Sequence, residues 1–415
     1  MEKNVQNGHN DGRERRASCG RPAQSGQTES AVDAKRQDQG DAQAHAAYTR
    51  EDFEHSPLLV FYEVTRACDL VCKHCRASAM LNPARGQLTP AQSAALLEEV
   101  ARFPKPPMVV LTGGDPMKRP DLVELIAHGR SVGLRMAVTP SPTPLMTAKA
   151  VAAMKEAGAC GFGVSIDGAR PQTHDTFRGI EGSHALSLEM IRWAGEVGLP
   201  VQVNTTVFAS NLNELEQLAD ELEKLPVQMW SVFFLVPVGR ARHAQRLSAR
   251  QYERVFELLY RESRRRLYAV KSTEAPHYRR YVMQKLGLSP IDTPQHIYGM
   301  SRQAPVGTND GRGVMFVSHT GEICPSGFLP LACGKYPADS PVTVYQEHEL
   351  FLRLRDADRL GGKCGVCEYR SVCGGSRARA YAVYGDPMAA EPDCVYIPAA
   401  WLERKSFARK AAEPH

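Results

Sequence analysis

Of 415 residues, 51 are Lys or Arg and 46 are Asp or Glu, a formal net charge of +5. That balance gives no ground for nucleic-acid or membrane binding, and no run of eighteen apolar residues is present to span a bilayer; 43% hydrophobic and 23% charged residues fit an ordinary globular protein. Eleven cysteines, an odd number, behind an N-terminus without an apolar leader argue for metal ligands or reactive thiols in a reducing, cytoplasmic setting rather than for disulfides.

Residues 1–52 are polar, rich in Gln, Asp, Gly, Ser and Arg, and predict a disordered tail in which Cys19 is a free thiol. From residue 58 the chain alternates nearly continuous apolar runs with helical patterns. The runs at 58–65, 108–112, 134–139, 163–167, 201–207 and 230–236 read as strands buried on both faces. Thr89, Pro90 and Gln92 form an N-cap, a first-turn proline and a capping-box partner ahead of Leu96, Leu97, Val100 and Phe103. Leu212, Leu215, Leu218, Leu222 and Leu225 make a second helical stripe for core packing. Six such units predict an α/β fold: a partial (β/α)6 parallel barrel over 53–240, with its active-site loops at the C-terminal ends of the strands. A linking helical segment follows over 241–310, with a helix at 251–266. A small cysteine-rich domain occupies 311–400, opened by a hairpin over 314–324 that turns at Thr320-Gly321. Residues 401–415 form a C-terminal tail.

Three segments behind the strands carry chemistry. Cys68, Cys72 and Cys75, spaced Cys-x3-Cys-x2-Cys, offer three thiolates and no fourth. A structural zinc site takes four ligands and closes itself, whereas three thiolates on a [4Fe–4S] cube leave one iron open. A zinc knuckle is the bland alternative. Thr112-Gly113-Gly114-Asp115-Pro116 allows close backbone approach to a ligand, although alone it reads as a turn. Ser165-Ile166-Asp167-Gly168 and Asn204 place polar side chains at strand ends, where capping is a common role. Further on, Cys364, Cys367, Cys373 and Cys394 give four thiolates for zinc or an iron–sulfur site, and spacing does not choose between them. Cys324 and Cys333 have no assigned role, and Cys160 reads as a buried thiol.

Together these segments resemble the radical S-adenosylmethionine (SAM) superfamily, with His74 at the usual aromatic position before the third cysteine. The resemblance implies a catalytic [4Fe–4S] cluster on Cys68, Cys72 and Cys75. It implies that Thr112, Gly113, Gly114 and Asp115, in place of a Gly-Gly-Glu-Pro-like segment, receive the amino group of SAM. Ser165, Asp167 and Asn204 are similar to contacts for its ribose or carboxylate, and Arg178 pairs either with a ligand carboxylate or within the protein. The implied reaction is reductive cleavage of SAM to a 5′-deoxyadenosyl radical that takes hydrogen from a substrate, fed by a flavodoxin- or ferredoxin-like donor. The C-terminal cysteines resemble the SPASM/Twitch extension. Full SPASM domains carry a further cysteine where Arg377 stands, which implies one auxiliary [4Fe–4S] cluster on Cys364, Cys367, Cys373 and Cys394, with Cys324 replacing or supplementing one of them.

Across residues 57–398 the likeness is nearest to the heme and d-type heme biosynthesis branch, implying a tetrapyrrole side chain as substrate. Its anionic propionates would suit the arginines of 261–266, best read as solvated surface, or Arg377 and Arg379. His243, His277, His296 and His319 are possible ligands for a tetrapyrrole-bound iron, though single histidines are more often structural. The alternatives are a peptide-modifying radical SAM/SPASM maturase and a non-catalytic iron–sulfur electron carrier.

Overall fold

The computed structural model describes residues 48–290 and 307–404; Cys19, His296 and most of both expected tails lie outside the described residues. Ten strands form one sheet: β1 Leu59–Thr65, β2 Met108–Gly113, β3 Arg135–Val138, β4 Ala159–Ser165, β5 Val201–Val207, β6 Val227–Phe234, β7 Ala269–Thr273, β8 Val314–Val317, β9 Glu322–Cys324 and β10 Gly334–Lys335. The spatial order is β10-β9-β8-β1-β2-β3-β4-β5-β6-β7. Strands β1 to β7 pair in sequence order and all run parallel.

Helices connect these strands: α1 Pro90–Ala101, α2 Leu122–Ser131, α3 Ala148–Glu156, α4 Pro171–Arg178, α5 Ser183–Glu196, α6 Leu215–Leu222 and α7 Ala249–Arg265. Right-handed crossovers taken in one direction put every helix on the same face, which curls the sheet into a barrel fragment. The core shows it: Val60, Val109, Met136, Val164, Val203 and Trp230 from the strands share one apolar cluster with Leu96, Ile126, Met154, Ile191, Leu218 and Phe256 from the helices. The opposite, inner face is left to residues at the alternate strand positions. The capping box at Thr89 forms, with the Thr89 side chain accepting from the Gln92 N–H.

Two features go beyond the six-unit expectation. The segment expected to link the domains contributes a seventh parallel strand, β7, before helix α8 (His277–Lys285). The expected 314–324 hairpin forms as β8 and β9, but β8 also pairs in parallel with β1, Leu59 against Val314 through Tyr62 against Val317. The cysteine-rich segment thus extends the barrel sheet itself.

The C-terminal region is held differently. Its apolar clusters are small, one around Val236, Leu329, Leu354 and Ala378 and one around Met283, Tyr369 and Val372. Buried polar groups fill the rest. Arg377, at the start of helix α9 (Arg377–Tyr384), donates to the carbonyls of Pro387 and Ala389 at 2.9 and 2.8 Å. Arg379 is paired with Glu391 at 2.9 Å and Asp393 at 3.3 Å. Neither arginine is open to a substrate propionate. In the 261–266 run, Arg266 is buried among Glu262, Asp220 and Glu223, and Arg261 pairs with Glu216 and Glu262. These arginines pin α7 to α6, so Arg266 is internal rather than solvated.

Candidate functional site

Behind β1 the chain turns into the cysteine loop, and three clamps fix its shape. Glycines 113 and 114 are required by contact: a Cβ on Gly113 would stand 2.2 Å from the Thr65 carbonyl oxygen, and one on Gly114 2.3 Å from that of Ala67. Only glycine lets the end of β2 lie against the start of the loop. Beyond β6, Arg240 donates to the carbonyls of Cys72 and Ala79 at 2.9 and 2.8 Å, and its own N–H bonds the Cys75 carbonyl. From α4, the Phe177 carbonyl accepts the Lys73 N–H.

The thiols lie close to the other two motifs. Cys68 Sγ is 3.7 Å from Ser141 Oγ, which donates to the Gly114 carbonyl at 3.0 Å. Arg178 reaches Cys72 Sγ at 3.9 Å while its other nitrogens hold Asp167 at 2.6–2.7 Å. Backbone N–H groups of Leu70 and Ala79 donate to the Cys68 and Cys75 sulfurs, each at 3.4 Å. Burial pushes the Cys68 thiol up to about 11 and the Cys72 thiol upward as well. His74 stacks flat on Phe177, centroids 4.2 Å apart, and burial, then Arg178 and Arg240, hold it neutral. Its Nδ1 is buried without a partner among the described residues.

Two of the expected site carboxylates have partners within the protein. The Asp115 carboxylate is fully buried; one oxygen accepts from the Met117 and Ser141 N–H groups at 3.1 and 3.2 Å, the other from Thr143 Oγ1 at 2.8 Å. It clamps the loop after β3. Asp167 is equally buried: one oxygen accepts the Thr206 N–H at 2.7 Å and the other belongs to Arg178. Its side chain holds Arg178 beside Cys72. Thr112, Ser165 and Asn204 are half-buried on the inner face, with Ser165 and Asn204 directly paired across β4 and β5. Ser141, Thr143 and Arg240 are the residues missed by sequence reasoning. The signal for Arg240 was Gly239-Arg240 standing just past a strand's C-terminal end.

The second thiol site is a small cavity lined by Cys364, Cys367, Cys373 and Cys394 with His277, Glu391 and Tyr396. Cys324 is not among the lining residues: it sits buried on β9, paired with Phe316 of β8. Cys160 lies within β4, half-buried. The N–H groups of Gly375 and Glu391 donate to the Cys373 and Cys364 sulfurs at 3.4 and 3.3 Å. Among the described residues no three His, Cys, Asp or Glu side chains form a group able to hold a single metal ion. Four thiols that share a cavity are a donor set that fits an iron–sulfur cluster, whose irons each take one sulfur. Of the histidines, His243 is exposed, His277 borders this cavity, and His319 bonds Glu63 at 2.8 Å.

Residues 62–222 match the model of the radical SAM superfamily. The chain is 38% identical over 359 residues to the AdoMet-dependent heme synthase of Nitratidesulfovibrio vulgaris, covering 86% of this chain and 96% of that one. It is 36% identical over 344 residues to the AdoMet-dependent heme synthase of Methanosarcina barkeri, covering 83% and 98%. In fold it is similar to Streptococcus suis SuiB bound to its precursor peptide SuiA, with a TM-score of 0.63 at 14% identity over 92% of this chain and 84% of that one. With a three-thiol loop behind the first strand of a partial barrel, and with relatives at this identity over most of its length, the chain belongs to the radical SAM superfamily, enzymes that use a [4Fe–4S] cluster and S-adenosylmethionine.

Proposed function

We propose that this protein acts on the side chains of a tetrapyrrole, as the names of its heme-synthase relatives suggest. The observation that carries the reading is the identity of 38% sustained over 96% of such a relative, through both the barrel and the cysteine-rich segment. When bound, the reduced cluster and S-adenosylmethionine supply a 5′-deoxyadenosyl radical for hydrogen abstraction.

The chain's own residues provide the holding and the positioning. Cys68, Cys72 and Cys75 would bind the cluster, with their loop set by Gly113, Gly114 and Arg240. The Thr112–Gly114 backbone, Ser165 and Asn204 would orient S-adenosylmethionine, with Arg178 braced by Asp167 beside Cys72. Cys364, Cys367, Cys373 and Cys394 would hold one auxiliary cluster. The apolar packing behind the inner face keeps bulk water from the radical's surroundings. A flavodoxin- or ferredoxin-like protein would deliver the electron, and the cell compartment would be the cytoplasm; among the described residues no helix is long and apolar enough to cross a membrane.

The test is 5′-deoxyadenosine formation by anaerobically reconstituted protein with reductant and S-adenosylmethionine, with and without iron-coproporphyrin III. Formation that rises with the tetrapyrrole and vanishes in Cys75→Ala is the expected result. Formation indifferent to it moves the substrate to a peptide or another metabolite. None at all, with both clusters loaded, leaves an iron–sulfur carrier.

A further inference from the structure

One register of the sheet carries a row of polar residues on the inner face. Ser165 of β4 pairs with Asn204 of β5, Asn204 with Ser231 of β6, and Ser231 with Lys271 of β7. Val270 is fully buried in the core on the helix side, so Lys271 takes the inner face. Its ammonium has no hydrogen bond or ion pair among the described residues, and burial is the sole influence on its titration, pushing it down to about 8. Two acids of the barrel strands and their loops, Glu63 and Glu274, are engaged elsewhere. Glu63 of β1 is held by Arg76 at 3.0 Å and by His319. Glu274, just past β7, accepts from Ser376 Oγ at 2.7 Å, and burial followed by Asp310 pushes its carboxyl upward, toward the neutral form.

Lys271 is half-buried, and its ammonium is left available on the inner face to a carboxylate brought by a ligand. The arginines that looked suited to an anionic substrate, 266, 377 and 379, are all committed to internal partners. Lys271 stands two strands from Asn204, roughly 10 Å at about 4.8 Å per strand, which leaves room for a ring between the S-adenosylmethionine side and the ammonium.

We propose that Lys271 is the anchor for a carboxylate of the substrate, pairing with a propionate of the tetrapyrrole. This inference rests on the tetrapyrrole reading above. A charge-assisted bond of this kind forms only in the complex, so its loss is read in binding rather than in folding.

The test is saturable binding of metal-free coproporphyrin III, followed by its fluorescence, to the reconstituted protein and to Lys271→Met and Lys271→Arg. Lys271→Met is expected to bind about 10- to 100-fold more weakly, with Lys271→Arg within a few fold of the parent. The tetramethyl ester should not distinguish the three proteins. Thermal unfolding gives the control: with no protein partner to lose, Lys271→Met stays as stable as the parent, whereas a structural lysine would destabilise it. Equal binding of coproporphyrin by parent and Lys271→Met overturns the anchor and leaves the tetrapyrrole reading standing. Absence of saturable binding by the parent overturns both.

Discussion

The barrel and the cysteine-rich region are built from different materials. The barrel rests on one continuous apolar cluster that reaches from Val60 to Phe351, whereas the region around the four-thiol cavity has two small clusters and a buried lattice of Arg377, Arg379, Glu391 and Asp393. Apolar packing is tolerant: removing a piece lowers stability without leaving an unsatisfied charge. An ion-pair lattice is brittle, since removing one member strands its partner in a low-dielectric interior. The three-thiol loop is thus carried by a scaffold built on apolar packing, and the four-thiol cavity by one built on buried polar contacts.

Arg379→Met should show the largest effect. It leaves Glu391 buried without its cation and costs about 3–5 kcal/mol. Iron bound per chain should fall by the four-thiol share, while the three-thiol loop keeps its cluster and its electron paramagnetic resonance signal with S-adenosylmethionine. A uniform loss from both sites would erase the contrast between the regions.

Leu218→Ala in α6 comes next. Leu218 is buried in the main core, and its truncation costs about 2–5 kcal/mol. Denaturant unfolding should shift to a lower midpoint with both iron sites affected together, because the whole sheet shares that core.

The smallest effect separates the two regions by acidity. His174, buried beside Asp167, is held down to about 3, chiefly by burial. Its folded pKa lies below the unfolded value of about 6.5, so the unfolded chain binds the proton first. Barrel stability is therefore full above pH 6.5 and falls as pH drops toward 3, by up to about 1.4 kcal/mol per pH unit. In the other region burial would raise Glu391, but Arg379 and His277 outweigh it and hold its carboxyl at about 2. That contribution is present above about pH 4.5 and is lost only as pH falls from there toward 2. Urea unfolding between pH 7 and 5 should weaken the parent and be flatter in His174→Gln. Equal slopes in the two proteins would remove His174 as the source.

What the sequence disclosed follows the same division. Strands β1 to β6 were legible because each carries several helix-facing apolar residues, and the cysteine loop because its spacing is chemical. Strand β7 was not: among Ala269, Val270, Lys271, Ser272 and Thr273, only Val270 is a core residue, too little for a periodic signal. The pairing of β8 with β1 joins residues far apart in the chain, which no local pattern encodes. At the site, residue type pointed to a close backbone approach at Gly113 and Gly114, and the partners the structure gives them are the Thr65 and Ala67 carbonyls. The buried partners of Asp115, Asp167 and Arg379 were not, since a carboxylate that binds a ligand and one that braces a loop look alike until their neighbours are known.

The pairing of Tyr62 with Val317 also sets a schedule for synthesis. Strand β1 leaves the ribosome early, yet one of its two edges waits 255 residues for its mate. At about 5–20 residues per second that edge stays unpaired for roughly 13–50 seconds, with Cys68, Cys72 and Cys75 just beyond it. A nascent chain in that interval offers both a sticky strand and free thiols. Its yield in cells should depend on how quickly iron and the last third of the chain arrive.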